Sequence, residues 1–202
     1  MRQIPVFVKK IWRTLVWRIN PKEKAVYLTF DDGPNAAVTP QVLAILDEYK
    51  VKATFFCKGE NVRKYPNLFE EIKQRGHSVG NHTFNHLKGF NNSVEDYIKN
   101  VQKADEYIQS KLFRPPYGKI KPRQIRALKN DYKIIMWDFI TYDFDLKVTP
   151  DEILKEVKKR SRNGSIVVFH DSLKAEKNML AALPEALKYW KQEGYKICSL
   201  VA

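Results

Sequence analysis

Two short segments hold the side chains best suited to chemistry. The first, Thr29-Phe30-Asp31-Asp32-Gly33-Pro34, ends an apolar run with two adjacent carboxylates. The second, Asn81-His82-Thr83-Phe84-Asn85-His86, offers two imidazoles four positions apart. Two neutral imidazoles and one carboxylate form the ligand set of an open divalent-metal site, typically zinc, with room left for water. A second carboxylate beside that set could serve as the base that activates the water. Taken singly, the first segment also reads as a solvated turn, and the histidines as core or capping residues. Taken together, the two favour a hydrolytic metal site.

The elements that must position these residues follow from the hydrophobic pattern. Short apolar runs at 25–30, 53–57, 77–80, 112–114, 133–137, 165–169 and 195–200 read as strands. Helical patterns lie between them, near 40–50, 60–75, 93–111, 120–130, 150–162 and 178–193. Thr39-Pro40 and Thr149-Pro150-Asp151-Glu152 each predict an N-cap followed by proline at the first helical position. Thr149 with Glu152, and more weakly Ser93 with Asp96, match a capping box. Gly76 and Gly194 follow helical runs, where a left-handed terminating residue is expected. About seven alternations of strand and helix imply an α/β fold with a mainly parallel sheet, in the manner of a β/α barrel. The polar residues then share a placement. Asp31 and Asp32 follow the first strand, and His82 and His86 the third. Arg114 ends the fourth, Asp138 and Asp143 follow the fifth, and His170 ends the sixth. The carboxyl ends of barrel strands face one mouth, where catalytic groups gather.

At 202 residues, with 44% hydrophobic and 29% charged residues, the chain is large enough for one domain with a substantial core. Cys57 and Cys198 sit in apolar runs and read as buried free thiols, without a disulfide framework or metal spacing. The net charge is +13, of which residues 1–24 supply +6. No compact basic block with interleaved aromatics lies in the interior sequence, so specific nucleic-acid binding is not expected. A basic surface suits an anionic envelope polymer or membrane instead.

Residues 1–24 are expected to form a basic amphipathic N-terminal segment, and 25–202 the domain proper. Within 4–19, Ile4, Phe7, Val8, Ile11, Trp12, Leu15, Val16 and Ile19 fall on one helical face, with Lys9, Lys10 and Arg13 opposite. The favoured reading packs this segment over the end of the domain, partly as a strand through 15–19. The other makes 4–19 a peripheral membrane contact. Charges interrupt every apolar run before a signal-peptide core can form, and no segment is long enough to span a bilayer.

At these residues the sequence resembles the polysaccharide deacetylase family, the NodB-homology domain of carbohydrate esterase family 4. The resemblance covers about residues 24–201. It rests on five ordered segments: Thr29–Pro34, His77–His86, Arg114-Pro115-Pro116-Tyr117-Gly118, Trp137–Phe144 and Ile166–Asp171. It implies a distorted (β/α) barrel of about seven parallel strands, with the active site at their carboxyl ends. It implies that Asp32, His82 and His86 hold one divalent metal, zinc first, with cobalt, manganese or nickel as alternatives. Asp31 would be the base and Arg114 its partner. The Tyr117 backbone N–H would stabilise the oxyanion. His170 would be the acid, oriented by Asp143. Phe144 stands where the family commonly has tryptophan, and Val168 where it commonly has leucine. Both keep the acetyl-methyl pocket apolar, and Tyr117 would also contact substrate. If the chain were helical over 82–86, both imidazoles would share a face. His77 and Trp137 read as structural, Asp138 as structural or as a support to the site's residues rather than directly catalytic, and Asp171 and Glu60 as solvated or capping.

The activity so implied is removal of N-acetyl groups from an amino-sugar polymer or oligosaccharide, peptidoglycan- or chitin-like. An O-acetyl esterase acting on a glycan such as xylan is the alternative within the same chemistry. A non-catalytic glycan-binding barrel and an envelope-bound scaffold are alternatives outside it. The implied substrate points to the cell envelope. The absence of a visible signal peptide or transmembrane helix leaves a cytoplasmic location open.

Overall fold

The computed structural model of the chain describes residues 14–201. Among these residues eight strands form one sheet: β1 (Ala25–Asp31), β2 (Thr54–Cys57), β3 (Ser78–Asn81), β4 (Leu112–Phe113), β5 (Lys133–Ile134), β6 (Phe139–Ile140), β7 (Ser165–His170) and β8 (Lys196–Cys198). Their order is β5-β4-β3-β2-β1-β7-β6, with β8 beside the first half of β1. Every strand pair is parallel. The expected run 133–137 divides. Its first two residues form β5, and the chain then turns at Asp138 into β6, which pairs with Val167 and Val168.

β5 and β6 end the order without pairing, so the barrel stays open there. Residues 16–19 lie across the seam. Val16 bridges Ile135, and Arg18 bridges Ser165. Leu15 and Trp17 are buried in the core, so this stretch packs with the domain. No helix forms over 14–19, and residues 4–13 of the expected amphipathic helix lie outside the described residues.

Among the described residues seven helices cover the sheet: α1 (Thr39–Glu48), α2 (Gly59–Lys64), α3 (Pro66–Gln74), α4 (Val94–Ile108), α5 (Pro122–Leu128), α6 (Pro150–Arg160) and α7 (Glu176–Gln192). The helix expected over 60–75 is two, because Pro66 has no N–H to carry the ladder through Tyr65. Thr149 and Glu152 form the capping box, and Ser93 Oγ accepts from the Asp96 N–H. Thr39 is not a cap. Val38 holds that position, and the Thr39 hydroxyl donates to Asp171 Oδ2 at 2.6 Å. Gly76 and Gly194 have φ of 77° and 74°, the left-handed terminations expected after α3 and α7.

Strand alternation divides the core. Leu28, Phe30, Phe55, Val167 and Phe169 pack toward α1, α6 and α7, while Phe56, Ile166 and Val168 belong to a second cluster with Trp17, Phe113 and Trp137. Register then aligns the strand ends: Asp31 pairs with His170 on one side and with Phe56 on the other. Cys57 is a buried free thiol and Cys198 a half-buried one.

Asp138 is structural. It is fully buried and accepts from Arg162 Nε at 2.7 Å, Arg162 Nη2 at 2.6 Å and Ser165 Oγ at 3.0 Å. Arg162→Leu should destabilise the domain by about 1.5–3 kcal/mol, because it removes charged hydrogen bonds from a buried carboxylate. The urea midpoint should fall with an unchanged slope. Metal content should not move; a parallel loss of metal would place Asp138 in the functional site instead.

Candidate active site

The two carboxylates leave β1 in different backbone states. Asp31 is the last strand residue, and Asp32 has φ of 82°. Such a left-handed turn is costly for a residue with a side chain. It aims both carboxylates at the same imidazole: Asp31 Oδ2 lies 3.9 Å from His82 Nε2, and Asp32 Oδ1 lies 3.8 Å from it. Asp32 Oδ1 is also 3.2 Å from His86 Nε2.

The histidines converge without a helix. Residues 82–88 are irregular, and Thr83 and His86 have φ of 64° and 60°. Side chains shape this loop. Asn81 Oδ1 accepts from the Thr83 N–H, Thr83 Oγ1 from the Leu87 N–H, and Asn100 Oδ1 from the Phe84 N–H. His82 Nδ1 lies 2.8 Å from the Arg114 carbonyl, which can only accept, so Nδ1 carries the proton and Nε2 keeps a lone pair. Burial lowers the pKa of both rings, well below the ordinary value for His82, while Asp32 opposes the shift. The imidazoles are thus neutral and ready to ligate.

Ligand atoms of Asp32, His82 and His86 all lie within 4.8 Å of one another. Asp32 Oδ1 is buried and accepts no hydrogen bond from the described residues, although two imidazole nitrogens face it. A buried acceptor opposed by lone pairs is anomalous in a protein interior and is what a cation resolves. The residues present therefore fit a divalent metal.

Two further pairs flank the cluster. Arg114 is fully buried, and its Nη1 donates to Asp31 Oδ1 at 2.6 Å and Thr29 Oγ1 at 2.7 Å. Nη2 donates to the Met136 carbonyl, and the guanidinium stacks 4.0 Å from the Phe56 ring centroid. Burial lowers the pKa of Arg114 and Asp31 opposes it, but a guanidinium stays charged. Opposite, Asp143 binds His170 twice. Oδ2 accepts from the backbone N–H and Oδ1 lies 2.7 Å from ring Nδ1. Burial pulls the His170 pKa down, but the charge and hydrogen bond of Asp143, with Asp32 and Asp31, outweigh it and raise the value to about 9.

Phe144 meets His170 edge-on, with ring centroids 4.8 Å apart. Val168 is wholly enclosed in the second core cluster. Tyr117 stands out at 59% exposure on a turn with φ of 60°. His77 lies away from the cluster. Its Nδ1 accepts from the Ala53 N–H, and burial lowers its pKa to about 4. Asp171 corrects the solvated reading. It is fully buried, accepts from the Gly33 N–H and Thr39 Oγ1, and burial raises its pKa to about 8. A Cβ on Gly33 would fall 1.9 Å from Asp171 Oδ2, which explains glycine there.

Sequence reasoning missed two features. Asp32, Thr83, His86, Tyr117 and Tyr142 all have positive φ and all lie in loops at the carboxyl ends of strands. Strained backbone of this kind gathers at functional sites. Exposed apolar side chains gather there too: Phe90, Tyr117, Leu146 and Leu173 sit on the loops after β3, β4, β6 and β7.

The parallel half-barrel carries this cluster at the carboxyl ends of its strands. Comparison with known proteins makes the class specific. The polysaccharide deacetylase family profile matches residues 18–134. The chain is 33% identical over 193 residues to a peptidoglycan-N-acetylglucosamine deacetylase of Bacillus cereus, covering 92% of this chain and 91% of that one. A solved peptidoglycan N-acetylglucosamine deacetylase, in complex with 4-naphthalen-1-yl-N-oxidanyl-benzamide, matches with a TM-score of 0.90 at 30% identity, over 98% of this chain and 95% of that one. A carbohydrate esterase family 4 pseudoenzyme from Bacillus anthracis matches with a TM-score of 0.84 at 27% identity, over 92% of this chain and 67% of that one. The chain belongs to the polysaccharide deacetylase family.

Proposed function

We propose that this chain is a divalent-metal-dependent hydrolase that removes N-acetyl groups from amino-sugar residues of a glycan, with peptidoglycan- or chitin-like polymers as substrates. The observation that carries this reading is the convergence of Asp32, His82 and His86, with Asp31 and His170 paired in register beside them. A pseudoenzyme shares the fold, so activity is argued from these side chains and not from the barrel.

Zinc is the first assignment for the cation, since one carboxylate and two imidazoles suit it, with cobalt, manganese or nickel as substitutes. When bound, it would supply Lewis acidity that polarises the acetyl carbonyl and makes a water easier to deprotonate. Asp31 would take the proton of the attacking water, its other oxygen fixed by Arg114. The Tyr117 N–H, which has no acceptor among the described residues, would donate to the oxyanion developing on the acetyl group. His170 would give its proton to the amine nitrogen as the carbon–nitrogen bond breaks, leaving acetate and a free amine. Phe144 would face the acetyl methyl. Phe90, Tyr117, Leu146 and Leu173 would offer apolar surface to sugar rings.

The test is acetate release from N-acetylglucosamine oligomers, peptidoglycan and acetylated xylan, with zinc and with chelator. Release from the first two, abolished by chelator, is expected. Release from xylan alone would replace the amide substrate by an ester. No release from any substrate by metal-loaded protein would overturn the proposal. In parallel, His82→Ala should lose both metal and acetate release. Full metal occupancy in that variant, by elemental analysis, would remove the cluster as the metal site.

A further inference from the structure

We infer that the Tyr117 hydroxyl is a positioning group for His86, holding its Nδ1 so that Nε2 stays aimed at Asp32. The inference rests on the metal reading proposed above and goes beyond it. The two candidate imidazoles are secured in different ways. His82 is 2% exposed, and its Nδ1 is tied to a backbone carbonyl inside the barrel. The His86 side chain is 24% exposed on a residue with φ of 60°. Among the described residues its Nδ1 meets only the Tyr117 hydroxyl, at 3.1 Å, and the two ring centroids are 4.5 Å apart. With Nε2 committed to a cation, the neutral ring carries its proton on Nδ1, and that N–H donates to the phenol oxygen.

Tyr117 is itself held for this. Its turn is entered through Pro115 and Pro116, and Gly118 follows with φ of 65°. A Cβ on Gly118 would fall 2.6 Å from the Trp137 ring, so the turn is seated directly on the indole. Lys88 Nζ lies 5.7 Å from the Tyr117 ring centroid. At 59% exposure the ring adds little to the core, yet the chain adopts a strained conformation to present it. Its hydroxyl makes one hydrogen bond among the described residues, and that is to His86. One turn would then serve both sides of the reaction, the backbone N–H toward the oxyanion and the hydroxyl toward a metal ligand.

Tyr117→Phe isolates the hydroxyl, since it keeps the ring and the backbone donor. The zinc dissociation constant of the full-length, metal-stripped protein, measured by competition with a chromogenic chelator, should weaken about 10–100-fold, the usual loss when a ligand's outer partner is removed. The visible spectrum of the cobalt-loaded protein should change as the ligand reorients. The thermal midpoint of the metal-free protein should not move. A double-mutant cycle separates positioning from general packing. In a His86→Ala background, Tyr117→Phe should cost no further affinity, because its effect travels through that ring. Wild-type affinity and an unchanged cobalt spectrum in Tyr117→Phe would overturn the inference, as would equal losses in both backgrounds. Those results leave the metal site standing. Failure of the wild-type protein to bind zinc, or undiminished binding by His86→Ala, would instead bring down the metal reading and this inference with it.

Discussion

Asp31→Asn is expected to keep its metal and lose about 10²–10⁴ of its turnover, the usual worth of a positioned general base. The amide preserves size and can still accept from Arg114 through its oxygen. It cannot take a proton from water. Geometry separates the two aspartates. Asp32 Oδ1 sits between both imidazoles, 3.8 Å from His82 Nε2 and 3.2 Å from His86 Nε2. Asp31 approaches only His82, at 3.9 Å, and its other oxygen is committed to Arg114. Elemental analysis beside acetate release checks the assignment. If metal falls together with turnover, Asp31 is a ligand and the two roles are exchanged. Unchanged turnover would remove the base altogether.

The parts of this site that were legible in the sequence are those where residue type alone restricts chemistry. Paired aspartates after an apolar run, paired histidines after another and a histidine ending a third place themselves once strands and helices alternate. Arg114 was legible by resemblance, but its burial between Asp31, Thr29 and the Phe56 ring was not. What stayed hidden depends on backbone conformation or on contacts distant in sequence. A helix was the simplest way to bring His82 and His86 together. The chain instead uses left-handed residues at Thr83 and His86, and a β-branched threonine gives no sign of that state. Thr39 carried every local mark of an N-cap, yet its hydroxyl is drawn to Asp171, which is 132 positions away. Asp171 looked solvated because nothing near it in sequence shows that α1 closes over it. β6 is two residues long, too short for periodicity to register. The link from Tyr117 to His86 spans 31 positions between two irregular loops and has no sequence pattern at all.

His170→Ala should separate amide from ester substrates. An amine leaves poorly unless protonated, whereas the alcohol of an activated ester leaves with little help. The variant should therefore lose about 10²–10⁴-fold on an N-acetyl sugar and markedly less on an activated acetyl ester. Equal losses on both would make His170 a substrate-positioning or structural group. The pH profile gives the companion test. His170 is a useful acid only while protonated, so activity should be present below its pKa and fall as pH rises through it. That value is raised to about 9, chiefly because Asp143 outweighs the opposing effect of burial. A bound cation opposes the shares contributed by Asp31 and Asp32, so the basic limb of the loaded enzyme should lie on the low side of that value. Asp143→Asn removes the negative charge and leaves the burial, which shifts the limb to lower pH. The amide also has one acceptor where the carboxylate had two, while His170 presents two donors, its backbone N–H and ring Nδ1–H. The two donors are held by separate oxygens, so one of them would face the amide NH2, and kcat should fall even at pH values where His170 remains protonated. A basic limb that stays fixed, with metal content intact, would dissolve the Asp143–His170 pair as the acid and leave the metal cluster untouched.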